Sequence, residues 1–347
     1  MRYRPLGATG IQVSTYALGA MMLGALGNPD RRDGIRVIHR ALDAGITFID
    51  TADRYGDSED VVGEALVGRR DQVVLATKFS GPVDDDINHR GASRRWIMQA
   101  VEGSLRRLQT DYIDLYQLHR PQPGTDIEET LSALTDLVRQ GKVRAIGSSS
   151  MRGSEIVEAQ WVSERRGFER FRTEQPNYSL LDRQIETEVL PVAQRYGMGT
   201  LIYSPLAGGT LTGRYRAGGE NANFRSVRTG MRHFRDERRL AAVEELLRLS
   251  DEIGVSLTHL AMAFVTAHPA VTSAIVGART LEQLEDTLAG SELELSDDVL
   301  DRIDAIVAPG ESIGAMDMVY RGPEVGDARL RRRPVGERSA AESEIAS

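Results

Sequence analysis

Along the chain, short apolar runs rich in β-branched residues alternate with longer stretches whose apolar positions recur every three or four residues. The short runs are TYALG (15–19), ITFID (46–50), VVLAT (73–77), YIDLYQL (112–118), VRAIG (143–147), FRTEQ (171–175), TLIYS (200–204) and TSAIV (272–276). Between and after them the spacing predicts helices near 33–44, 57–67, 93–108, 126–140, 152–166, 184–196, 237–268 (as two helices) and 280–289. GVSLTHLAMAF (254–264) is apolar enough for a strand, but its length and its alanine stripe assign it to a helix. Strict strand–helix alternation implies a parallel sheet with right-handed crossovers. Eight such units predict an α/β fold closed as a (β/α)8 TIM barrel, with an open doubly wound sheet as the alternative.

No gap reads as a linker, so residues 1–310 are taken as a single barrel domain. Two stretches fall outside the units. Residues 205–236 form a long loop after the seventh strand, rich in Gly, Thr and Arg. The arginines of the 214–239 stretch (Arg214, Arg216, Arg225, Arg228, Arg232, Arg235, Arg238, Arg239) read as a solvated charged loop, with a cover over cofactor phosphates or an anionic substrate as the alternative. The tail, 311–347, is polar, Arg-rich and aperiodic, and is expected to be largely mobile.

Composition narrows the class. With 41% hydrophobic and 27% charged residues the chain is that of an ordinary globular protein. Its formal net charge of −8 argues against a nucleic-acid partner, whose footprint is a basic face. The absence of cysteine removes disulfides, thiolate metal sites and a cysteine nucleophile. No apolar run reaches the roughly 18 residues of a membrane span, and the opening MRYRPLGATG lacks a signal-peptide core. The expectation is a cytoplasmic monomer or small homo-oligomer.

One compositional oddity points at chemistry. Of 43 Lys plus Arg residues only two are lysines, Lys78 and Lys142. An ammonium is a compact charge whose pKa moves on burial, whereas a guanidinium stays protonated. Active sites of such barrels lie at the C-terminal ends of the strands. There the second strand ends in Asp50 and puts Tyr55 in its loop, within FIDTADRYG; the third ends in Lys78; the fourth ends in LYQLHRP, offering His119. A tyrosine is a poor acid at neutral pH. A nearby ammonium favours its phenolate, and a carboxylate behind the lysine keeps that lysine charged and oriented. Such a phenol gives a proton to a developing alkoxide, and a neutral histidine donates a hydrogen bond to the same oxygen. The set suits reduction of a carbonyl.

DTADRYG, ATKF, DLYQLHRP, GKVRAIGSSS, EQPNYSLLD, YSPLAGGTLTGRY and IVGARTLEQL, in this order, resemble the aldo-keto reductase superfamily over residues 2 to 308. The resemblance implies a catalytic tetrad of Asp50, Tyr55, Lys78 and His119, with Tyr55 as general acid. It also implies an N-terminal hairpin plugging the barrel bottom, and a small-molecule carbonyl substrate, with no nucleic acid or membrane involved. Potassium-channel β subunits resemble the same superfamily, so a cofactor-sensing regulatory protein is the alternative. A metal-dependent barrel hydrolase would want an H-x-H pair at a strand end, and none exists.

Moving a hydride needs a cofactor, because no side chain carries one. No GxGxxG follows a strand, which leaves the barrel rim as its place. Phosphates in such barrels sit on the loops after strands seven and eight, near a helix N-terminus. SPLAGGTLTGR (204–214) is small and glycine-rich, and GARTLEQL (277–284) opens a helix with Gly277, Arg279 and Thr280. By resemblance, Tyr203 stacks on the nicotinamide, Ser149 and Gln175 hold its carboxamide, and Ser204, Leu206 and Gly209 line the pyrophosphate path. Arg279, with Gln283 nearby, meets an adenosine 2′-phosphate, which makes the expected cofactor NADP(H). The chain departs from the family in two places. Ser150 stands where an asparagine is usual after the fifth strand, and Thr287, preceded by Asp286, where an asparagine often meets the adenine.

Overall fold

The structure, a computed structural model, describes residues 1–214, 236–314, 320–334 and 337. It opens with an antiparallel hairpin, β1 (Tyr3–Pro5) and β2 (Gln12–Ser14). Eight parallel strands follow: β3 (Tyr16–Gly19), β4 (Phe48–Asp50), β5 (Val74–Phe79), β6 (Ile113–Leu118), β7 (Val143–Ser149), β8 (Phe171–Gln175), β9 (Gly199–Ile202) and β10 (Val271–Val276). They pair in chain order, and β10 closes onto β3 through Ala274↔Tyr16 and Val276↔Leu18. The closed (β/α)8 barrel is therefore the observed architecture, and the open sheet is not.

The helices are α1 (Arg31–Asp43), α2 (Ser58–Ala65), α3 (Arg94–Leu108), α4 (Ile127–Arg139), α5 (Gly153–Arg166), α6 (Val189–Arg195), α7 (Glu237–Glu252), α8 (Leu257–Ala267), α9 (Leu281–Ala289) and α10 (Asp297–Ile306). Most start where a short polar side chain accepts from an otherwise orphaned amide: Asp30 for α1, Ser93 for α3, Asp126 for α4, Thr280 for α9, Ser296 for α10. No described helix is long and apolar enough to cross a membrane.

The barrel interior is layered. At the bottom, Leu6 and Val13 of the hairpin pack with Ala17, Phe48, Ala76, Leu115, Ala145, Leu201 and Ile275. This hairpin is the plug expected from the N-terminal segment. Gly7 makes the seal possible: at φ +55° it approaches so closely that a Cβ there would lie 2.5 Å from the Gly199 amide nitrogen. Above this apolar layer the inward residues become polar. Gly147 leaves room for them, since a Cβ there would stand 2.1 Å from Thr173 Oγ1 and 3.2 Å from Gln117 Cγ.

Several expectations need correction. The third barrel strand runs Val74–Phe79, so Lys78 lies within it rather than at its end. The 184–196 helix breaks into a 3-10 turn, Gln184–Glu186, and α6, whose first turn holds Pro191. Helix α10 was not expected; it follows the eighth strand–helix unit, and Val299, Leu300, Ile303 and Ile306 recur along it at helical spacing. Arg238 and Arg239 belong to α7 and not to a solvated loop. Arg238 pairs with Asp236. Arg239, fully buried, holds Asp182 with hydrogen bonds of 3.0 and 3.1 Å and donates to the Ile313 carbonyl oxygen at 2.8 Å. Arg216, Arg225, Arg228, Arg232 and Arg235 lie outside the described residues.

The chain divides into two compact units, Met1–Asp317 and Met318–Ser347. Residues 311–313 belong with the barrel, where the Arg183 amide donates to the Glu311 carbonyl oxygen and the Ile313 amide to that of Leu181. In the second unit the described residues include a short helix, Pro323–Gly326, and a 3-10 turn, Ala328–Leu330.

Candidate active site

Strands β4, β5, β6 and β8 place four polar side chains at one level of the barrel. Lys78, fully buried, donates from Nζ to Asp50 Oδ2 at 2.5 Å and to the Thr51 carbonyl oxygen at 2.9 Å. The other carboxylate oxygen, Asp50 Oδ1, accepts from Gln117 Nε2 at 3.1 Å and from Gln175 Nε2 at 2.9 Å. The carboxylate is thus fixed by an ammonium on one oxygen and two amides on the other.

Tyr55, half-buried in the loop after β4, stands over this pair. Its ring centroid is 5.1 Å from Lys78 Nζ, and its hydroxyl is 3.2 Å from His119 Nε2. The two rings meet edge to face, with centroids 5.4 Å apart at 84°. The sequence-predicted Asp50, Tyr55, Lys78 and His119 therefore do converge. His119 is nine-tenths buried or more, and its Nδ1 makes no hydrogen bond.

The electrostatics differ in one respect from the sequence expectation. Burial pushes the Tyr55 phenol up, and the Lys78 ammonium, pulling it down, does not win; the net position is above an ordinary phenol. Tyr55 holds its proton at neutral pH. For Lys78, burial disfavours the charge, but Asp50 and then Tyr55 together outweigh it, so the amine stays protonated. Burial, reinforced by Lys78, Arg120 and Arg54, holds His119 well below the usual imidazole range, which leaves it neutral.

Two further carboxyls border the site, and the sequence reading missed both. Glu174, fully buried, accepts from Ser148 Oγ at 2.5 Å and from the Met151 amide at 3.1 Å; burial raises it to about 7. It braces the end of β7, which carries Ser149, and the turn that follows through Ser150 and Met151. Asp53, two residues before Tyr55, is buried with neither oxygen hydrogen-bonded. Burial first, then the Glu59 charge, raises it to about 8. A folded pKa above the unfolded one means that the stability contribution is complete at low pH and is lost as pH rises through the folded value. Asp53→Asn, a copy of the neutral form, should therefore melt higher than the parent by a margin that widens between about pH 4 and about pH 8. Thermal melts at pH 5 and pH 8 check this; a margin that stays constant or shrinks refutes it.

The predicted cofactor residues lie on the same rim. Ser149, buried, donates from Oγ to the Gln175 carbonyl oxygen at 2.9 Å. Gln175 uses its amide nitrogen on Asp50, leaving its amide oxygen as the acceptor it can offer a ligand. Ser150 sits at φ +59°, with its hydroxyl 3.5 Å from Tyr203 Oη. After β9, Ser204, Ala207, Gly208 and Gly209 all take positive φ, so the backbone coils tightly past Leu206 with little side chain in the way. A Cβ added at Gly209 or Gly277 would meet nothing within 4 Å, so both loops present open backbone. Arg279 is exposed before α9; its amide donates to Gln283 Oε1 at 3.0 Å, and its guanidinium makes no ion pair among the described residues. Thr287 turns its hydroxyl back onto the Gln283 carbonyl oxygen at 2.9 Å. An open glycine-lined coil after β9, and after β10 an arginine at a helix start with no ion pair among the described residues, fit a dinucleotide phosphate.

A closed barrel with an ammonium–carboxylate pair beneath a tyrosine and a neutral histidine narrows the protein class sharply. The aldo/keto reductase family model matches residues 16–308, and the chain belongs to that family. Its relatives include an uncharacterized oxidoreductase, YrpG, of Bacillus subtilis (strain 168), 40% identical over 89% of this chain and 97% of the relative. Aldo-keto reductase YhdN of the same organism is 38% identical over 82% of this chain and 87% of its own length. A probable voltage-gated potassium channel subunit beta of Oryza sativa subsp. japonica is 34% identical over 88% and 97%. Membership places the chain among oxidoreductases of the aldo-keto reductase kind.

Proposed function

We propose that the protein is an NADP(H)-dependent enzyme that reduces an aldehyde or ketone to an alcohol, with Tyr55 as the general acid. The observation that carries this reading is the Tyr55 hydroxyl, 3.2 Å from a neutral His119 and backed by a charged Lys78. When bound, the nicotinamide supplies the hydride. The chain's residues handle the oxygen. Tyr55, protonated at neutral pH, gives its proton as negative charge builds there. His119 donates a hydrogen bond from Nε2 to the same oxygen, in the tautomer that its low pKa permits. Lys78 stabilises the phenolate left behind, and Asp50, fixed by Gln117 and Gln175, keeps Lys78 charged and in place. A phenol that keeps its proton at pH 7 favours reduction over the reverse reaction, which would need Tyr55 as a base.

Tyr203, Ser149 and Gln175 would hold the nicotinamide end; Ser204, Leu206, Gly209 and Gly277 would line the phosphates. Arg279, with Gln283 bracing its backbone, would read a 2′-phosphate. Arg279→Ala should therefore weaken NADPH roughly ten-fold or more while NADH changes little. Fluorescence titration with both cofactors checks this, and an equal loss for both rules out the phosphate role. The relatives named as channel β subunits support a second reading, a cofactor-sensing partner protein. NADPH oxidation against a panel of aldehydes and ketones separates them: tight cofactor binding without turnover favours the second.

A further inference from the structure

Glu174 and Gln175 end β8 side by side, and together they hold the stretch at the end of β7. In register, Glu174 pairs with Ser148 and Gln175 with Ser149. Gln175 turns to the barrel interior, where its amide meets Asp50, so alternation sends Glu174 to the outer side of the strand. The Gln175 carbonyl oxygen accepts from Ser149 Oγ at 2.9 Å and from the Ser150 amide at 3.2 Å. Glu174 grips the flanks: one carboxylate oxygen accepts from Ser148 Oγ at 2.5 Å, the other from the Met151 amide at 3.1 Å. Ser149 and Ser150 therefore lie between two contacts to a single side chain.

This arrangement runs against two local preferences. Ser150 sits at φ +59°, a left-handed conformation uncommon for a residue with a Cβ. Glu174 is fully buried, and a carboxylate stripped of water is unfavourable unless its oxygens are bonded. Burial raises it to about 7 against the pull of Ser148 and the Met151 amide. Glu155, in the first turn of α5, adds to the rise, and its own carboxylate accepts from the Arg152 amide at 2.8 Å. Glu188, before α6, lies against Gly153, and on the β9 side the neighbour in register, Thr200, does not titrate. Proton transfer from Tyr55 uses none of these groups.

We propose that Glu174 is a positioning residue for the cofactor: through Ser148 and Met151 it fixes the backbone of Ser149 and Ser150, and so strengthens binding of the nicotinamide end without touching the ligand. The proposal rests on the reading that Ser149 and Gln175 hold the nicotinamide carboxamide, and it adds a regulation to that site. As a carboxylate, Glu174 accepts charge-assisted hydrogen bonds from both donors. Its protonated form keeps only weaker neutral ones, and Ser150 is then freer to leave its left-handed conformation. The grip is therefore complete above the folded value of about 7 and loosens as pH falls through it.

Two ligands isolate the nicotinamide end: NADPH, and 2′-phosphoadenosine diphosphoribose, which carries the same phosphates and ends before the nicotinamide. The ring of NADPH is uncharged, so direct attraction to a carboxylate is not what is measured. Calorimetric titration of the full chain with each gives a ratio of dissociation constants, and titration of the shared 2′-phosphate largely cancels in it. In the parent, the advantage of NADPH over the fragment should grow ~3- to 10-fold between pH 6 and pH 8, the range of strengthened hydrogen bonds. Glu174→Gln, a copy of the neutral form, should bind the fragment as the parent does. Its advantage for NADPH should stay near the parent's value at pH 6. Asp53, raised to about 8, is present in both proteins, so the difference between the two profiles belongs to Glu174. Profiles that coincide in parent and variant overturn the proposal, and so does an equal loss of both ligands in the variant. A parent that binds neither ligand, or binds the fragment as tightly as NADPH, sinks the nicotinamide reading and the proposal together. A parent whose NADPH advantage is large but indifferent to pH and to Glu174→Gln sinks the proposal alone.

Discussion

Replacing Tyr55 with phenylalanine should cut carbonyl reduction by roughly 10²- to 10⁴-fold, the span typical of a positioned general acid, while NADPH binding stays close to that of the parent. The substitution removes one oxygen and little else. The ring keeps its edge-to-face contact with His119 at 5.4 Å and its place 5.1 Å from the Lys78 amine. His119 is a poor substitute as acid, because it is already neutral and held well below the usual imidazole range. Steady-state NADPH oxidation measures the loss, and quenching of protein fluorescence by NADPH measures binding. Since burial holds the phenol above its ordinary value, reduction by the parent should also stay level through neutral pH and decline only in alkaline solution. A phenylalanine variant with near-normal turnover would move the acid elsewhere.

The fold was legible because closure of a parallel barrel repeats one demand eight times: a short apolar strand, then a helix with one apolar stripe. Outside that repeat the sequence offers less guidance. Helix α10 comes after the eighth unit, beyond the strand–helix alternation, although Val299, Leu300, Ile303 and Ile306 recur along it at helical spacing. The 184–196 segment has helical spacing, yet its first turn is 3-10 and separates from α6 at Glu188. The site was half legible. Strand ends point to Asp50, Lys78 and His119, because topology brings such ends together before any side chain is placed. Their supports were harder to see. Gln117 and Gln175 occupy inward positions of β6 and β8, and alternation along those strands was the available signal for them. Asp53 and Glu174 gave none: a carboxyl inside a motif or strand reads the same in sequence whether solvated or stripped of water. Only packing distinguishes them. The direction of the Tyr55 shift belongs with these, because it is the difference between burial and one nearby cation.

Lys78→Met should do damage of two kinds, and a second substitution can separate them. The amine is fully buried, and its removal leaves Asp50 with the amides of Gln117 and Gln175 but no counter-charge. Breaking a buried pair from one side typically costs about 3–5 kcal/mol, because a charge remains where water cannot reach it. The two amides should keep the loss nearer the low end. Chemistry suffers separately, since no cation then faces the phenolate that forms when Tyr55 gives up its proton. Adding Asp50→Asn to Lys78→Met removes the stranded carboxylate and replaces it with a group of the same shape. Stability should then largely return, as judged by urea unfolding, while NADPH-dependent reduction stays at the low level of the single variant. Recovery of both in the double variant would make the pair a strut of the barrel and nothing more. Recovery of stability alone would mean that the ammonium acts on the phenol, which is the role its position beneath Tyr55 implies.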